Sequence, residues 1–493
     1  MTTPSKPLSA LGLTARTGGD PAVTGLTLDS RAVTPGTLFA ALPGSRAHGA
    51  DFVPMALERG ATAILTDAAG AGIAATAIRA AGAALIVAED PRAALAAAAA
   101  LWFGVQPATM VAVTGTNGKT SVASFTRQIW TALGLPAINI GTTGIEGAWA
   151  APSAQTTPDP ITLHRLLAQA AAAGISHAAM EASSHGLDQR RLDGVTLAAA
   201  GFTNLTQDHL DYHGTMDAYF DAKAGLFARL LPPGAAAVIN IDDPRGLDLC
   251  QIATARGHRV IRTGRADAAH LRLLDQRYDA TGQWARILWQ GQAVQVRLAL
   301  VGGFQAENVM VAAGLAIGAG AAAADVFRVL PQLAGVRGRM QLAATRANGA
   351  AVFVDYAHTP DAVATALRAL RPHVMGRIIA VIGAGGDRDR GKRPLMGAAA
   401  AAHADVVYVT DDNPRSEDPR AIRAAILAAA PEATEVPDRA EAILRAVDTL
   451  QPGDALLIAG KGHETGQIVG TDIYPFDDLE QASIAVAALD GAA

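Results

Sequence analysis

The chain has 493 residues and one cysteine; half of its residues are hydrophobic and 17% are charged. That is globular, too long for one ordinary core, and without an intramolecular disulfide. A formal net charge of −5 gives no basis for nucleic acid or an anionic membrane as partner. No apolar run is long enough to span a bilayer, and Met1 to Ala10 lacks a signal-peptide core, so a soluble, cytoplasmic protein is expected.

In the first hundred residues, Thr37 to Leu42, Ala63 to Thr66 and Ala84 to Val87 read as short strands. Met55 to Arg59 reads as a short helix stopped by Gly60. Pro91 to Phe103 reads as a helix with proline at its start, where the missing N–H costs least. Gly104 to Pro107 reads as a linker, which bounds a first domain at 1–107. Leu28-Asp29-Ser30-Arg31 is a polar turn to which the residues alone assign no chemistry.

The second region, 108–335, opens with the stretch around which the chain is organised: Val111-Ala112-Val113-Thr114-Gly115-Thr116-Asn117-Gly118-Lys119-Thr120-Ser121. A β-branched run enters a turn with two glycines, and a helix follows from Ser121 to Leu133. Strand, glycine turn and helix make a phosphate cradle: backbone N–H groups approach phosphate oxygens, and the helix N-terminus adds positive potential. Lys119 can reach the outer phosphates and Thr120 can ligate Mg²⁺. Val113 stands where the general pattern has its first glycine. Strand and helix signals then alternate, which argues a mostly parallel sheet whose ligands gather beyond the strands' C-terminal ends. Two further strand ends carry polar clusters, Glu181-Ala182-Ser183-Ser184-His185 and Thr203 to His213. Glu181 and His209 suit a divalent cation beside the phosphates. Leu271 to Leu300 alternates and breaks at Ala280 to Gly282 and Gln290 to Gln292, the pattern of antiparallel hairpins.

In the third region, 336–493, strands end in Asp355-Tyr356-Ala357-His358, Gly383 to Arg390, Asp411 to Arg415 and Gly460 to Glu464. Helical stretches between them give a second open α/β sheet of Rossmann-like type. Gly383 to Gly386 lacks the third glycine of a dinucleotide fingerprint, which excludes NAD. Arg388, Arg390, Lys392, Arg393, Arg415 and Lys461 put positive charge at strand ends and suit an anionic ligand, a carboxylate above all.

The chain resembles the Mur ligases, the ATP-dependent amide-forming enzymes of peptidoglycan precursor synthesis. The resemblance rests on Thr114 to Thr120, whose pattern in that family has no glycine at position 113, and on Met180 to His185, Asn204 to His213, Gly303 to Asn308, Gly338-Arg339-Met340 and Asp355 to Pro360. It implies an α/β protein of three domains. These are a UDP-binding α/β domain, a central P-loop ATPase domain with a small antiparallel sheet, and a Rossmann-like amino-acid-binding domain. Asp412-Asn413-Pro414-Arg415 goes in this family with meso-diaminopimelate, added to UDP-N-acetylmuramoyl-L-alanyl-D-glutamate; lysine-adding relatives usually lack the arginine.

By that resemblance, Leu28, Ser30 and the turn Ser45-Arg46-Ala47 hold the UDP group, and Thr156, Thr157, Ser183, Gln189 and Arg191 the muramoyl-dipeptide. Gly115, Thr116, Asn117, Gly118, Lys119, Thr120 and Ser121 hold the ATP phosphates, with Asn308 near the adenine and Arg339 and Asp355 closing over the nucleotide. Thr120, Glu181, His209 and a carbamylated Lys223 surround Mg²⁺; Lys119, Glu181, His209 and Lys223 form the catalytic set. Arg388, Asp412, Asn413, Pro414, Arg415, Gly462 and Glu464 bind the diamino acid. A monomer is expected.

The implied chemistry starts from a carboxylate, which is a poor electrophile. ATP phosphorylates it, and the acyl phosphate is attacked by the amine. His358 is a candidate for the base that takes the amine's proton; a structural loop histidine is the alternative. The acyl phosphate would hydrolyse in water, so the site is expected to close. Phe220, Lys223 and Phe227 recur at helical spacing. Burial on that face would lower the lysine pKa and let the neutral amine react with carbon dioxide, whereas a lysine reaching water would not. The rivals are a Mur ligase that adds L-lysine or D-alanyl-D-alanine, a folylpolyglutamate synthase, and a P-loop ATPase switch that makes no bond.

Overall fold

Short parallel strands set the architecture. The computed structural model describes residues 4–44, 47–153, 155–279 and 281–491, and the chain packs into two compact units. One comprises Met1–Lys119, Thr126–Arg262 and Leu315–Ala321; the other comprises Thr120–Phe125, Thr263–Gly314 and Ala322–Ala493.

The first unit opens with a four-stranded parallel sheet in chain order: Gly25–Thr27, Thr37–Ala40, Ala63–Thr66 and Ala84–Val87. The helix Pro91–Phe103 begins at its proline, capped by Asp90, and ends at Gly104 in the left-handed region. The sequence reading has no counterpart for the helix Ala68–Ala81. Its run of alanines and glycines carries a weak apolar period; Asp67 caps it by accepting from the Gly70 N–H at 2.7 Å.

The same unit holds the sheet that carries the phosphate turn. Six neighbouring strands of that sheet run in the order Ala236–Asn240, Ala199–Phe202, Thr109–Thr114, His177–Glu181, Ala137–Gly141 and Gly144–Gly147. All neighbours are parallel except the last pair. The central strands are nearly continuous apolar runs, as strands covered on both faces must be. Register puts Glu181 opposite Val113 and Phe202 opposite Thr114. The polar residues that follow these strands therefore emerge level with Gly115. Val113 is a buried strand residue and the strand runs on to Thr114, so the turn starts at Gly115 and position 113 needs no glycine.

The second unit contains the antiparallel strands Leu271–Asp279, Gly282–Trp289 and Gln292–Leu298. Gln290 and Gly291 turn the second hairpin with φ of 48° and 81°, the signs a two-residue hairpin turn requires. Of the first hairpin's turn, Ala280 lies outside the described residues. A six-stranded sheet follows, ordered Gln341–Thr345, Ala351–Asp355, Ala455–Ala459, Ile378–Ile382, Val406–Val409 and Thr434–Glu435. It is parallel apart from its first pair and has an apolar core on each face. The last long strand in sequence, Ala455–Ala459, lies between two earlier ones. Asp355, Gly383 and Gly460 thus come to one edge, where such sheets bind ligands. Among the described residues no helix is long and apolar enough to cross a membrane.

A buried ion pair locks the final helix, Asp478–Asp490, to this sheet. Arg439 and Asp478 are both fully buried and meet through two hydrogen bonds of 2.7 Å. The Arg439 guanidinium also donates to the Ala459 carbonyl at 3.0 Å. Removing one partner strands the other charge. Arg439→Ala is therefore expected to destabilise the protein by ~3–5 kcal/mol, measured by urea unfolding at neutral pH.

Candidate active site

In the first unit the phosphate turn is held from beneath. Thr203 Oγ1 donates to the Asn117 carbonyl at 2.6 Å, Asn204 Oδ1 accepts from the Asn117 N–H at 2.9 Å, and the Thr116 N–H donates to the Asn204 carbonyl at 2.8 Å. Gly115 allows this approach: a Cβ there would lie 1.9 Å from Thr203 Oγ1. Gly118, at φ 84°, caps the helix Lys119–Ala132, whose first turn carries the buried Thr120 and Ser121. The turn's N–H groups thus open at a helix N-terminus, which favours an anion.

Two lysines converge on one carbonyl oxygen. Lys119 Nζ donates to Gly115 O at 2.9 Å and to Thr116 O at 2.8 Å. Lys223 Nζ donates to the same Gly115 O at 2.7 Å. Lys223 is 1% exposed and lies over the Tyr219 ring at 4.4 Å, one helical turn earlier. It does not reach water. Burial first, then the neighbouring Lys119 charge, drive its pKa well below the usual lysine value. The apolar face read from Phe220, Lys223 and Phe227 is buried as expected. The helix Met216–Gly225 then passes into a π-turn, Leu226–Leu230, which periodicity does not reveal. Burial pushes the Tyr219 phenol up to about 12, so it stays neutral and contacts the Thr116 hydroxyl at 3.2 Å.

Glu181 is buried, with Oε1 accepting from the Thr142 N–H at 2.8 Å and Oε2 from the Thr142 hydroxyl at 3.4 Å. It forms no ion pair among the described residues. His209 is exposed, at φ 53°, 3.4 Å from Asp208, with its ring edge-on to His185 at 4.8 Å. Among the described residues no three His, Cys, Asp or Glu side chains gather as a metal site. The expected set has only Glu181 and His209 of those types.

The residues expected at the muramoyl-dipeptide do come together. Thr157 Oγ1 donates to the Glu181 carbonyl at 2.9 Å and accepts from the Ser183 N–H at 3.1 Å. Thr156 and Thr142 hydroxyls meet at 3.0 Å. Arg191 donates to the Thr157 carbonyl and Gln155 Oε1, each at 2.8 Å, and to Gln189 Oε1 at 2.7 Å. Gln189 in turn reaches the Tyr212 hydroxyl at 3.1 Å. Thr142 and Gln155 belong to this constellation, and Tyr219 to the phosphate turn; all three escaped the sequence reading, for which adjacency to Thr156 and the four-residue step to Lys223 were the available signals. At the expected UDP turn, Ser30 Oγ donates to Met55 Sδ at 3.6 Å, Leu28 is 36% exposed, and Ala47 O accepts from the Gly44 N–H at 3.1 Å. Ser45 and Arg46 lie outside the described residues.

In the second unit Asn308 is buried and donates to Gln305 Oε1 at 3.1 Å. Arg339 stacks over the Tyr356 ring at 4.9 Å. Asp355 accepts from the Met340 and Ala357 N–H groups at 2.7 and 2.8 Å, and burial raises its pKa against the pull of Arg339.

The strand-end cations sort into two groups. Arg393 and Arg390 pair with Glu417 at 2.8 and 3.2 Å, and hydrogen bonds from Arg393 hold that carboxyl near pKa 2. Lys392 donates to the His358 carbonyl. Arg388 and Arg415 form no ion pair among the described residues; each donates to a backbone carbonyl, of Asp387 and Gly386. Beside them Asp412, Asn413 and Pro414 are buried, and Asn413 Nδ2 donates to Glu464 Oε2 at 2.8 Å. Gly462, at φ 56°, lets the chain pass against Tyr356, where a Cβ would lie 2.6 Å from the tyrosine's own. His358 Nδ1 lies 2.8 Å from the Tyr356 carbonyl and so carries the hydrogen, which leaves Nε2 with a lone pair. Desolvation lowers its pKa below the usual imidazole value.

Three family models match in succession: "Mur ligase family, catalytic domain" over residues 22–102, "Mur ligase middle domain" over 113–316 and "Mur ligase, glutamate ligase domain" over 338–462. The chain belongs to the Mur ligase family. It is thereby an α/β, ATP-dependent enzyme that forms amide bonds. Similar Mur ligases include the UDP-N-acetylmuramoyl-L-alanyl-D-glutamate–2,6-diaminopimelate ligase of Bradyrhizobium diazoefficiens, 53% identical over 94% of this chain and 95% of that one. The protein of that name from Brucella melitensis is 52% identical over 95% of each. A solved structure of a ligase of the same name superposes with a TM-score of 0.70 at 34% identity, covering 95% of each chain.

The turn's lysine tests the nucleotide assignment. Lys119→Ala is expected to keep the fold by circular dichroism and to cut ADP release by on the order of 10²–10³-fold or more, as losing a preorganised charge contact does.

Proposed function

We propose that this Mur ligase joins meso-diaminopimelate to UDP-N-acetylmuramoyl-L-alanyl-D-glutamate, as a cytoplasmic monomer of three domains, 1–107, 108–335 and 336–493. The observation that carries the amino-acid choice is Arg415. Its guanidinium has no carboxylate partner among the described residues, and it sits beside the Asn413–Glu464 pair. Meso-diaminopimelate differs from L-lysine by a distal carboxylate, which an arginine fork matches. Arg388 supplies a second unpaired guanidinium, and Glu464 a carboxylate for an ammonium.

Leu28, Ser30 and Ala47 would face the UDP group; Thr156, Thr157, Ser183, Gln189 and Arg191 would hold the muramoyl-dipeptide. The turn Gly115 to Lys119 binds the ATP phosphates, and Lys119 follows the charge as the γ-phosphoryl passes to the glutamyl carboxylate. ADP leaves and an acyl phosphate remains. The diaminopimelate amine attacks its carbonyl carbon, the C–N bond forms, the bond from that carbon to the bridging oxygen breaks, and phosphate departs with that oxygen. The amine's proton passes to a base, for which His358 Nε2 is suited.

Glu181 is a buried carboxylate without a cationic partner among the described residues, which fits a divalent cation. Glu181, His209 and Lys223 in its carbamylated form would hold Mg²⁺, whose charge offsets that of the transferring phosphoryl group. Lys223 suits that modification because it is buried and its pKa is depressed: a neutral amine reacts with carbon dioxide, and the carbamate replaces a repelling cation with two oxygen ligands.

An ADP-release assay over a substrate panel tests the reading. Release should need both the nucleotide-dipeptide and meso-diaminopimelate; release with ATP alone, or equal release with L-lysine, would reject it. Arg415→Ala should cost diaminopimelate ~2–5 kcal/mol in kcat/KM and L-lysine much less. Lys223→Ala should lose ligation and regain part of it with added short-chain carboxylic acids, whose oxygens take the carbamate's place; a fully active Lys223→Arg enzyme would exclude the carbamate.

A further inference from the structure

Lys461, read from the sequence as one of the strand-end cations for an anionic ligand, follows the strand Ala455–Ala459 and is wholly buried, with its donors taken up inside the protein. Its Nζ lies 3.0 Å from Asn413 Oδ1, 2.5 Å from the Gly466 carbonyl oxygen and 3.4 Å from Glu464 Oε2. Three acceptors use all three hydrogens of an ammonium; a neutral amine has only two.

The consequences reach both halves of the amino-acid site. An ammonium can only face the oxygen of the Asn413 amide, so the NH₂ end is turned to Glu464 Oε2, 2.8 Å away. Asn413 Oδ1 also accepts from the Ile468 N–H at 2.9 Å. Both protein contacts of the Glu464 carboxylate fall on Oε2. Oε1 has no protein hydrogen bond among the described residues and is left for an ammonium of the ligand. Gly466, held by Lys461, opens the hairpin of Gly466–Val469 and Asp472–Pro475. That hairpin grips the backbone of Arg415: Ile468 O accepts from the Arg415 N–H at 3.0 Å, and the Gly470 N–H donates to Arg415 O at 2.7 Å. Arg415 is thereby kept at φ 51°, a conformation a non-glycine residue holds only under restraint. Gln467 adds a 2.7 Å bond to the Asp412 carbonyl.

We propose that Lys461 is the positioning residue of the amino-acid site, orienting the Asn413–Glu464 pair and, through the hairpin root, aiming Arg415 at the distal carboxylate; this rests on reading that site as the diaminopimelate site. Lys461→Met keeps the aliphatic stem and removes the donors. With the other substrates saturating, its KM for meso-diaminopimelate should rise at least tenfold. kcat should stay within about threefold and KM for ATP should be unchanged, and the preference for diaminopimelate over L-lysine should shrink by a similar factor. Should Lys461→Met not fold, judged by its thermal transition, Lys461→Gln is measured instead, since a shorter neutral amide with two hydrogens should show the same split. An unchanged diaminopimelate KM, or a loss of kcat with all KM values unchanged, would overturn the proposal. The wild-type panel separates the two ideas: wild type that rejects diaminopimelate refutes the site reading, whereas wild type that uses it beside a variant of normal KM refutes the role of Lys461.

Discussion

One backbone oxygen, that of Gly115, accepts from both Lys119 and Lys223. Two cations cannot share an acceptor in a buried site at low cost, since their repulsion is little screened there. Lys223 is the more deeply buried of the two; burial first, and the Lys119 charge second, depress its pKa. The arrangement depends on parallel strands ending in register, on Thr203 and Asn204 gripping the turn from the next strand, and on a glycine at 115 thin enough to permit it. The lysine proposed to be modified is therefore disfavoured as a simple cation by its burial and by the lysine of the phosphate turn beside it.

The second unit handles charge differently. Arg439 with Asp478, and Arg393 with Glu417, are satisfied inside the protein. Each fixes the end of a strand or loop. Among the described residues, the Arg388 and Arg415 guanidinium groups donate to backbone carbonyls only. A site for a zwitterionic ligand needs both kinds: paired charges that hold the loops, and unpaired ones that the ligand completes.

The strand-end clusters were legible because parallel α/β sheets put ligands at the carboxyl ends of strands. Lys119, Glu181, Asp355, Asn413 and Arg415 all lie at or just beyond such ends, as read. The helix Pro91–Phe103 was legible from its proline and its closing glycine, and the hairpin at Gln290-Gly291 from its turn residues. The helix Ala68–Ala81 was not, because alanine and glycine signal neither period strongly. Contacts group the chain into two compact units; that grouping has no counterpart in the motifs, since packing depends on distances that sequence order does not carry.

The sequence by itself determined which residue types stand at the strand ends, and these limit what a site can do: a glycine turn with lysine suits phosphate, and arginines suit a carboxylate. Only the tertiary structure decided which groups share partners. That Lys223 meets Gly115 across 108 positions, that Lys461 turns the Asn413 amide toward Glu464, and that Glu417 rather than a ligand takes Arg390 and Arg393 are facts of three-dimensional proximity. Burial and hydrogen-bond partners are set by residues distant in the chain, and those partners settle whether a charge is a fastening within the protein or free to meet a ligand.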